Sequence, residues 1–280
     1  MPRFFYQSVI PTEQTVIQIN GDDFHHIRDV LRLKIGDAVT ICDGSGSDLS
    51  GQISRIDERA VVVDIHARTS NQSEPPYHAT LYQGLAKGDK MDAIIQKSVE
   101  LGVTRVVPMI SSRCIAVPDE RDHAKKLLRW NRIAAEAAKQ SGRGVIPSVG
   151  PILTFSQVLA EAAVFDIRLI PWELERDRSV RTALETWQSG QTDAAPGTDE
   201  QSLPPVSLPV PPVSLPVPPV SLTVPSIAIL IGPEGGFSET EIRQASAAGL
   251  QTVSLGRRIL RTETAGPAIL AMLLYQFNDF

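Results

Sequence analysis

Apolar and polar positions alternate in short runs along the first part of the chain, from Phe4 to about Ala67. Alternation with a period of two, in runs rich in β-branched residues, is typical of strands with one buried face. Glycine-bearing turns at 36–37 and 43–46 separate the runs, and one short helix is predicted near 23–31. Several short strands in so short a stretch favour a small β-barrel. The predicted strands are 15–19, 38–42, 51–56 and 61–65.

From residue 79 onward the pattern changes to strands that alternate with longer helical segments. Met91, Ile94, Ile95 and Val99 fall on one helical face, for example, in a helix predicted to start at Asp89 and to end before residue 102. Such alternation is typical of an α/β domain with a mostly parallel sheet. The predicted strands are 79–85, 105–110, 165–170, 227–231 and 252–255, and the other predicted helices are 122–140, 179–187 and 265–277, with one more after Ser238.

One segment fits neither pattern, because residues 204–224 repeat the heptapeptide PPVSLPV three times with one change. Proline at this density blocks helices and central strands and favours an extended polyproline II conformation. We interpret residues 188–226 as an insertion in the α/β domain. A docking motif for a proline-reading partner is the alternative interpretation.

Composition narrows the class of protein. The chain has two cysteines, Cys42 and Cys114, which lie far apart, so neither a disulfide framework nor a zinc site is predicted. The sequence contains neither an apolar run of membrane-spanning length nor a secretory signal, and these features together predict a cytoplasmic protein. The net charge is −5, yet residues 85–150 hold twelve Lys and Arg against seven Asp and Glu. This basic stretch is compatible with a phosphate-binding face or with an ordinary solvated surface.

The strongest local signal is a buried strand that leads into a glycine-rich turn, ILIGPEGGFSETE at 229–241. Glycines at the carboxyl end of a strand let a ligand contact main-chain groups, and Ser238 with Glu241 forms a capping box for the next helix. The turn matches neither a phosphate-binding P-loop nor the dinucleotide fingerprint, so a plain turn with a helix cap remains the alternative. A second turn, GRRILRTETA at 256–265, follows the last strand. Both turns are expected at the carboxyl edge of the sheet, where they could form one pocket.

These two turns resemble those of the RsmE family of 16S ribosomal RNA uridine-N3 methyltransferases, which belongs to the SPOUT superfamily. The resemblance covers nearly the whole chain except the proline repeats. In the N-terminal part, the positions of His25, Val30, Leu31 and Arg32 are similar to the RNA-binding domain of that family. The other similar segments are PRFF at 2–5, KGDK at 87–90, QKSVELGV at 96–103, SRC at 112–114, WNRIAAEA at 130–137, QSGR at 140–143 and Pro147.

The resemblance implies a PUA-like RNA-binding β-barrel at 1–70 and a SPOUT methyltransferase domain at 77–280, which is α/β and carries a trefoil knot. It also implies a homodimer that binds S-adenosyl-L-methionine in the knot and acts on 16S ribosomal RNA or the small ribosomal subunit, away from any membrane. The long insertion departs from the family pattern just before a strand of the knot. The cofactor contacts that the motif match implies are Leu230, Gly232, Gly235, Leu255, Gly256 and Leu260.

Methyl transfer to uridine N3 requires few catalytic groups from the protein. The target uridine must be unpaired, its N3 must lose a proton, and a cation near O2 or O4 would stabilise the resulting anion. Arg261 or Arg3 is the candidate for that stabilisation, Glu263 is the weaker candidate for a base or orienting group, and no metal is needed. The expected RNA contacts lie in the basic stretch, at Lys87, Lys90, Arg113 and Arg143, although the two arginines could instead brace a dimer.

Two alternatives to this function stay open. The first is another SPOUT-type RNA methyltransferase that acts on a ribose oxygen or on transfer RNA. The second is a non-catalytic RNA-binding factor in ribosome assembly, although two glycine-bearing turns and Arg261 favour an enzyme with a cofactor pocket.

Overall fold

The computed structural model describes residues 1–6, 9–44, 46–115, 119–192 and 224–277. Apart from Val224, the PPVSLPV repeats therefore lie outside the described residues. The described chain forms two sheets, one of five strands and one of seven. Each sheet is built from its own stretch of the sequence.

The N-terminal sheet takes its strands in the order β1-β3-β4-β5-β2. The pair β1 and β3 is parallel and the other pairs are antiparallel. Because this strand order leaves two free sheet ends, the predicted barrel takes the form of a curled half-barrel. Its elements are β1 (Arg3–Phe5), β2 (Val16–Asn20), α1 (Gly21–His25), which continues as a π-helical turn (His26–Val30), β3 (Ala38–Cys42), β4 (Ser47–Ile56) and β5 (Ala60–Ser70).

The curl of this sheet depends on irregular pairing between β4 and β5. The register shifts between Ser50 and Gly51 and again farther along β4, and such bulges bend and twist a strand. A Cβ atom on Gly51 would lie 2.5 Å from the carbonyl oxygen of Asp64, so only glycine fits where the two strands come closest. The concave side is filled by apolar side chains such as Ile41 and Val63, which are fully buried.

The C-terminal sheet is parallel throughout, with strands in the order β12-β10-β11-β6-β7-β8 and β9 paired with β7. In a parallel sheet all carboxyl ends lie at one edge, which is where ligands bind. Its elements are β6 (His78–Gly84), α2 (Lys90–Glu100), β7 (Arg105–Ile110), α3 (Glu120–Ser141), β8 (Ser148–Val149), β9 (Leu153–Thr154), α4 (Phe155–Ala162), β10 (Ile167–Pro171), α5 (Val180–Thr192), β11 (Ser226–Ile231), α6 (Glu239–Ala247), β12 (Gln251–Val253) and α7 (Thr262–Gln276).

Helices cover both faces of this sheet. Ile229 of β11 packs with the helices α2, α3, α5 and α7, whereas the next residue, Leu230, packs on the other face with α4 and α6. Alternate strand residues point to opposite faces, so a strand covered on both sides must be apolar at every position. This explains the uninterrupted apolar run of β11.

The two units meet through polar side chains. The Arg3 guanidinium donates two 2.8 Å hydrogen bonds to the Asp48 carboxylate and one of 3.2 Å to the main-chain oxygen of Arg143. The Asn71 amide donates to the same carboxylate at 3.0 and 3.1 Å and to the main-chain oxygen of Gly142 at 3.4 Å. Arg3 and Asp48 thus form part of the contact between the N-terminal sheet and the end of α3.

The predicted fold class, an α/β chain with a PUA-like N-terminal unit, is confirmed, while the trefoil knot stays a prediction. The helix α5 continues to Thr192, into the segment predicted as the insertion, and Ser189 donates a 2.9 Å hydrogen bond to the main chain of Glu185 within the helix. The bounds of the insertion stay a prediction. The strand β11 begins at Ser226. Among the described residues, no helix is both long enough and apolar enough to cross a membrane.

Candidate functional site

A cavity of about 400 Å³ lies at the carboxyl edge of the parallel sheet. The turns that follow β10, β11 and β12 form its walls, because these three strands are neighbours and end at the same edge. The cavity lining begins at Pro171 and Ile231, the last residues of β10 and β11, and at Ser254, which follows β12. The N-terminal end of α7 closes the remaining side with Arg261, Thr262, Glu263 and Ala265.

The turn after β11 depends on glycine because main chains approach closely there. A Cβ atom on Gly84, at the end of β6, would lie 2.4 Å from the nitrogen of Pro233, and one on Gly232 would lie 3.0 Å from the carbonyl carbon of Gly236. Gly236 itself has a φ of +64°, which favours glycine. Packing therefore requires glycine beside this wall of the cavity.

The capping box predicted from the sequence forms at the start of α6. Ser238 and Glu241 bond each other reciprocally, and Glu241 also accepts a 2.7 Å hydrogen bond from the main-chain N–H of Ser112. Burial acts to raise the pKa of Glu241, but the hydrogen bonds from Ser112 and Ser238 outweigh it and hold that pKa below its ordinary value. The ionised carboxylate thus fixes the turn after β7 against the glycine-rich turn.

The turn after β12 presents main chain to the cavity. Gly256 has a φ of +105°, and a Cβ atom there would meet no atom within 4 Å. Leu255 and Leu260 on either side pack partly against the apolar core below. Glycine at 256 is therefore required by the backbone conformation, while the space around it stays open to the cavity.

A buried hydrogen-bond chain joins the glycine-rich turn to α7. Gln83, which is fully buried, donates a 2.8 Å hydrogen bond to the Thr262 hydroxyl, and that hydroxyl donates at 2.7 Å to the main-chain oxygen of Gly232. Neither Gln83 nor Thr262 was predicted as a site residue from the sequence. A polar residue at the end of the apolar strand β6 is the signal that could have identified Gln83.

Three charged side chains, Lys90, Glu234 and Glu263, meet at one side of the cavity. The Lys90 ammonium lies 3.0 Å from Glu234 Oε1 and 3.7 Å from Glu263 Oε2. Burial acts to raise the pKa of Glu234, but hydrogen bonds from the main-chain N–H of Lys87 and from Lys90 hold it below its ordinary value. Glu263 Oε2 is buried and has no hydrogen-bond partner among the described residues.

The structure separates the two arginines that the sequence analysis proposed for anion stabilisation. Arg261 lines the cavity, is exposed, and occupies the N-cap position of α7. Arg3 lies in the contact between the two units, where it is bound to Asp48 and does not line the cavity. Glu263 lines the cavity beside Arg261.

The predicted cofactor contacts fall into two groups. Gly232, Leu255, Gly256 and Leu260 line the cavity. Leu230 lies within the core on the α4 and α6 side of the sheet, and Gly235 packs against Arg113, where a Cβ atom would lie 3.1 Å from that of the arginine. Neither Leu230 nor Gly235 is among the residues that line the cavity. All six cofactor contacts stay predictions.

The four predicted RNA contacts differ in their availability. The Lys87 side chain is exposed, whereas Lys90 pairs with Glu234 and Arg113 donates a 2.9 Å hydrogen bond to the main-chain oxygen of Gly235. Arg143 is 2 % exposed.

Arg143 is occupied by partners inside the protein. Its guanidinium pairs with Glu74 at 2.5 Å and donates to the main-chain oxygens of Val99 and Val103. A buried guanidinium with these partners has a structural role in this arrangement, so its position does not support an RNA contact. Within the described part of the chain, no cluster of acidic, histidine or cysteine side chains could hold a metal ion.

Comparison with known families places this architecture in a class. The family model of an RNA methyltransferase domain matches residues 73–196 and 214–274. The family model of an RNA methyltransferase PUA domain matches residues 19–65. The fold and the strand-end cavity therefore define a two-part RNA methyltransferase.

Individual relatives narrow the class further. Ribosomal RNA small subunit methyltransferase E of Bacillus subtilis is 31% identical over 264 residues, which cover 94% of this chain and 91% of that protein. The protein of the same name from Synechocystis is 30% identical over 271 residues, covering 96% of this chain and 77% of that protein. The chain belongs to the ribosomal RNA small subunit methyltransferase E family, as the sequence motifs predicted.

Solved structures of methyltransferases are similar to this chain over nearly its whole length. Ribosomal RNA small subunit methyltransferase E from Neisseria gonorrhoeae bound to S-adenosyl methionine is 30% identical, with a TM-score of 0.77 and coverage of 99% of this chain and 98% of that one. A methyltransferase from Legionella pneumophila in complex with the same cofactor is 29% identical, with a TM-score of 0.74 and coverage of 98% and 97%. Both contain the cofactor that the resemblance predicted.

Proposed function

We propose that the protein transfers the methyl group of S-adenosylmethionine to N3 of one uridine in 16S ribosomal RNA, acting in the cytoplasm as a homodimer. Residues 1–70 are the RNA-docking unit and residues 77–280 the catalytic unit. The observation that carries the proposal is the cavity itself, which two glycine-bearing turns and the first turn of α7 enclose in a chain of this family.

The cavity has properties that suit the cofactor. Its volume of about 400 Å³ falls in the range of roughly 300–1,000 Å³ that is usual for small-molecule sites. The open main chain at Gly256 allows close contact, and Leu255 and Leu260 add apolar surface. When bound, S-adenosylmethionine supplies an already activated methyl group.

The protein's own part in the reaction is to position the base and stabilise charge. We assign the stabilisation of the uridine anion to Arg261, since Arg3 is held by Asp48 in the contact between units. Glu263, with a carboxylate oxygen that lacks a hydrogen-bond partner, orients the base or accepts the N3 proton. Gln83 and Thr262 act indirectly, because they hold the glycine-rich turn against α7.

The direct test uses purified protein, radiolabelled S-adenosylmethionine and two substrates, protein-free 16S ribosomal RNA and assembled small subunits. The expected result is incorporation of label into one of the two, with calorimetry showing one cofactor site per chain. Sedimentation at several concentrations is expected to give the mass of a dimer. Absence of cofactor binding would exclude the enzyme and favour a non-catalytic assembly factor.

A further inference from the structure

A row of basic side chains follows one face of the long helix α3. Arg121, Lys125, Arg132 and Lys139 are spaced four, seven and seven residues apart, which places them on one face of a helix with 3.6 residues per turn. The first three are exposed. Leu128 lies on the same face and is 76% exposed, so this face of the helix contacts solvent rather than another element.

Three of the four cations of this row are free, and the fourth, Lys139, is paired with Asp23. Among the residues that the structure describes, Arg121, Lys125 and Arg132 have no hydrogen-bond or ion-pair partner for their side chains. On the flank of the row, by contrast, Arg129 pairs with Asp92. Glu136 is exposed four residues after Arg132, but among the described residues it forms no ion pair with any of these three cations.

The C-terminal end of this helix contacts the N-terminal unit, and its middle contacts the turn that precedes α2. Near its end, Lys139 of the row binds Asp23 of α1 at 2.8 Å, so the row runs toward the N-terminal unit. Farther back, Arg129 lies 3.5 Å from Asp89, the residue before Lys90, and Lys90 lines the cavity. A polyanion that contacts both the N-terminal unit and the cavity mouth would therefore pass close to α3.

We propose that Arg121, Lys125 and Arg132, the three free cations of the α3 basic row, bind phosphates of the ribosomal RNA outside the target nucleotide. The proposal rests on the proposed function, since it takes RNA as the substrate. Charge complementarity favours it, and a rise of about 1.5 Å per residue separates successive charges by roughly 6 and 10 Å, enough for each to meet a different phosphate.

The test compares two variants with the same change in charge. Lys125→Gln with Arg132→Gln removes two charges of the row, and Arg181→Gln with Arg243→Gln removes two exposed charges from α5 and α6. Binding to a protein-free 16S ribosomal RNA transcript is measured at several salt concentrations. The row variant is expected to reduce the slope of log affinity against log salt by about 1.4–1.8, at about 0.7–0.9 per lost contact. The control variant is expected to keep the wild-type slope.

Cofactor affinity by calorimetry is expected to stay unchanged in both variants, because no mutated residue lines the cavity. An unchanged slope in the row variant, or an equal loss in the control, overturns the proposal. So does row-dependent binding to phosphatidylserine vesicles without an effect on RNA, which would assign the row to a membrane surface. If the wild-type protein transfers no methyl group to ribosomal RNA and yet the row variant alters the slope, the proposed function fails and the row stands.

Discussion

At Gly256 the main chain has a φ of +105° and faces an open cavity. The glycines at the site are therefore required for two different reasons. Gly84 and Gly232 are required because neighbouring main-chain atoms leave no room for a side chain. Gly256 has room, so its requirement comes from the backbone conformation. A side chain at 256 would extend into the space that we assign to the cofactor.

Replacing Gly256 by valine is expected to abolish S-adenosylmethionine binding in calorimetry, because the side chain occupies cavity volume and strains the backbone by about 1–3 kcal/mol. Gly36→Val is the matched control, since Gly36 has a φ of +93° and equally open surroundings in the N-terminal unit. It should lose similar stability in thermal unfolding but keep cofactor affinity. Tight cofactor binding by Gly256→Val would show that the cavity is not the cofactor site.

Arg261 is expected to act on the transition state and not on the cofactor. Arg261→Ala should keep cofactor affinity in calorimetry and lower the rate of methyl transfer by about 10²-fold or more, as when one charge-stabilising group is removed. Arg257→Ala, which removes another arginine that lines the cavity, is the control and should lose much less. A normal rate of transfer by Arg261→Ala would contradict its role.

Among the elements, those with strong local signals were predicted well. The strand β7 has the bounds predicted for 105–110, and α6 begins where the Ser238 capping box predicted it. The helix α4 was not predicted, although Thr154 and Gln157 form the same kind of capping box there. The strand β1 was not predicted either, because its three residues are defined only by their pairing with β3. No local pattern marks such a strand.

The proline-rich insertion is expected to be dispensable. Replacing residues 202–224 by a short Gly/Ser linker should leave the melting temperature and the rate of methyl transfer near those of wild type. Long loops differ little in closure entropy, by about 0.6 kcal/mol per doubling of length. Scanning calorimetry and the methyl-transfer assay check this, and a large loss in either would show that the repeats have a structural or functional role.

At the scale of the whole molecule, only those parts of the site that are continuous in the sequence could be predicted from it. Both glycine-bearing turns were found because each is one continuous motif next to a strand. The availability of the arginines could not be predicted, since the partners of Arg3 lie 45 and 140 residues away in the chain. The burial of Arg143 likewise depends on Glu74, which is 69 residues away.

The contact between the units is expected to depend on the charge of Asp48. Burial acts to raise the pKa of Asp48, but the hydrogen bonds from Arg3 and Asn71 outweigh it and hold that pKa below its ordinary value. Its contribution to stability is therefore complete above the ordinary pKa of about 3.9 and is lost as the pH falls through the lowered value. Asp48→Asn should cost about 1–3 kcal/mol at neutral pH, with a difference from wild type that narrows below about pH 4.

Thermal unfolding at several pH values checks this expectation. Asp57→Asn, which breaks the more exposed pair with Arg55 in the same unit, is the control and should cost less than about 1 kcal/mol. Equal losses for the two variants, or a loss for Asp48→Asn that does not change with pH, would mean that the charge of Asp48 does not stabilise the protein through its pair with Arg3.

The central claim is that this chain methylates N3 of one uridine in the small-subunit ribosomal RNA. Nucleoside mass spectrometry of that RNA, from cells with and without the gene, tests it most directly. The account predicts that one 3-methyluridine is lost when the gene is absent and returns with the wild-type gene but not with the Arg261→Ala variant. An unchanged 3-methyluridine content, or loss of a ribose methylation or a transfer RNA methylation instead, would contradict it.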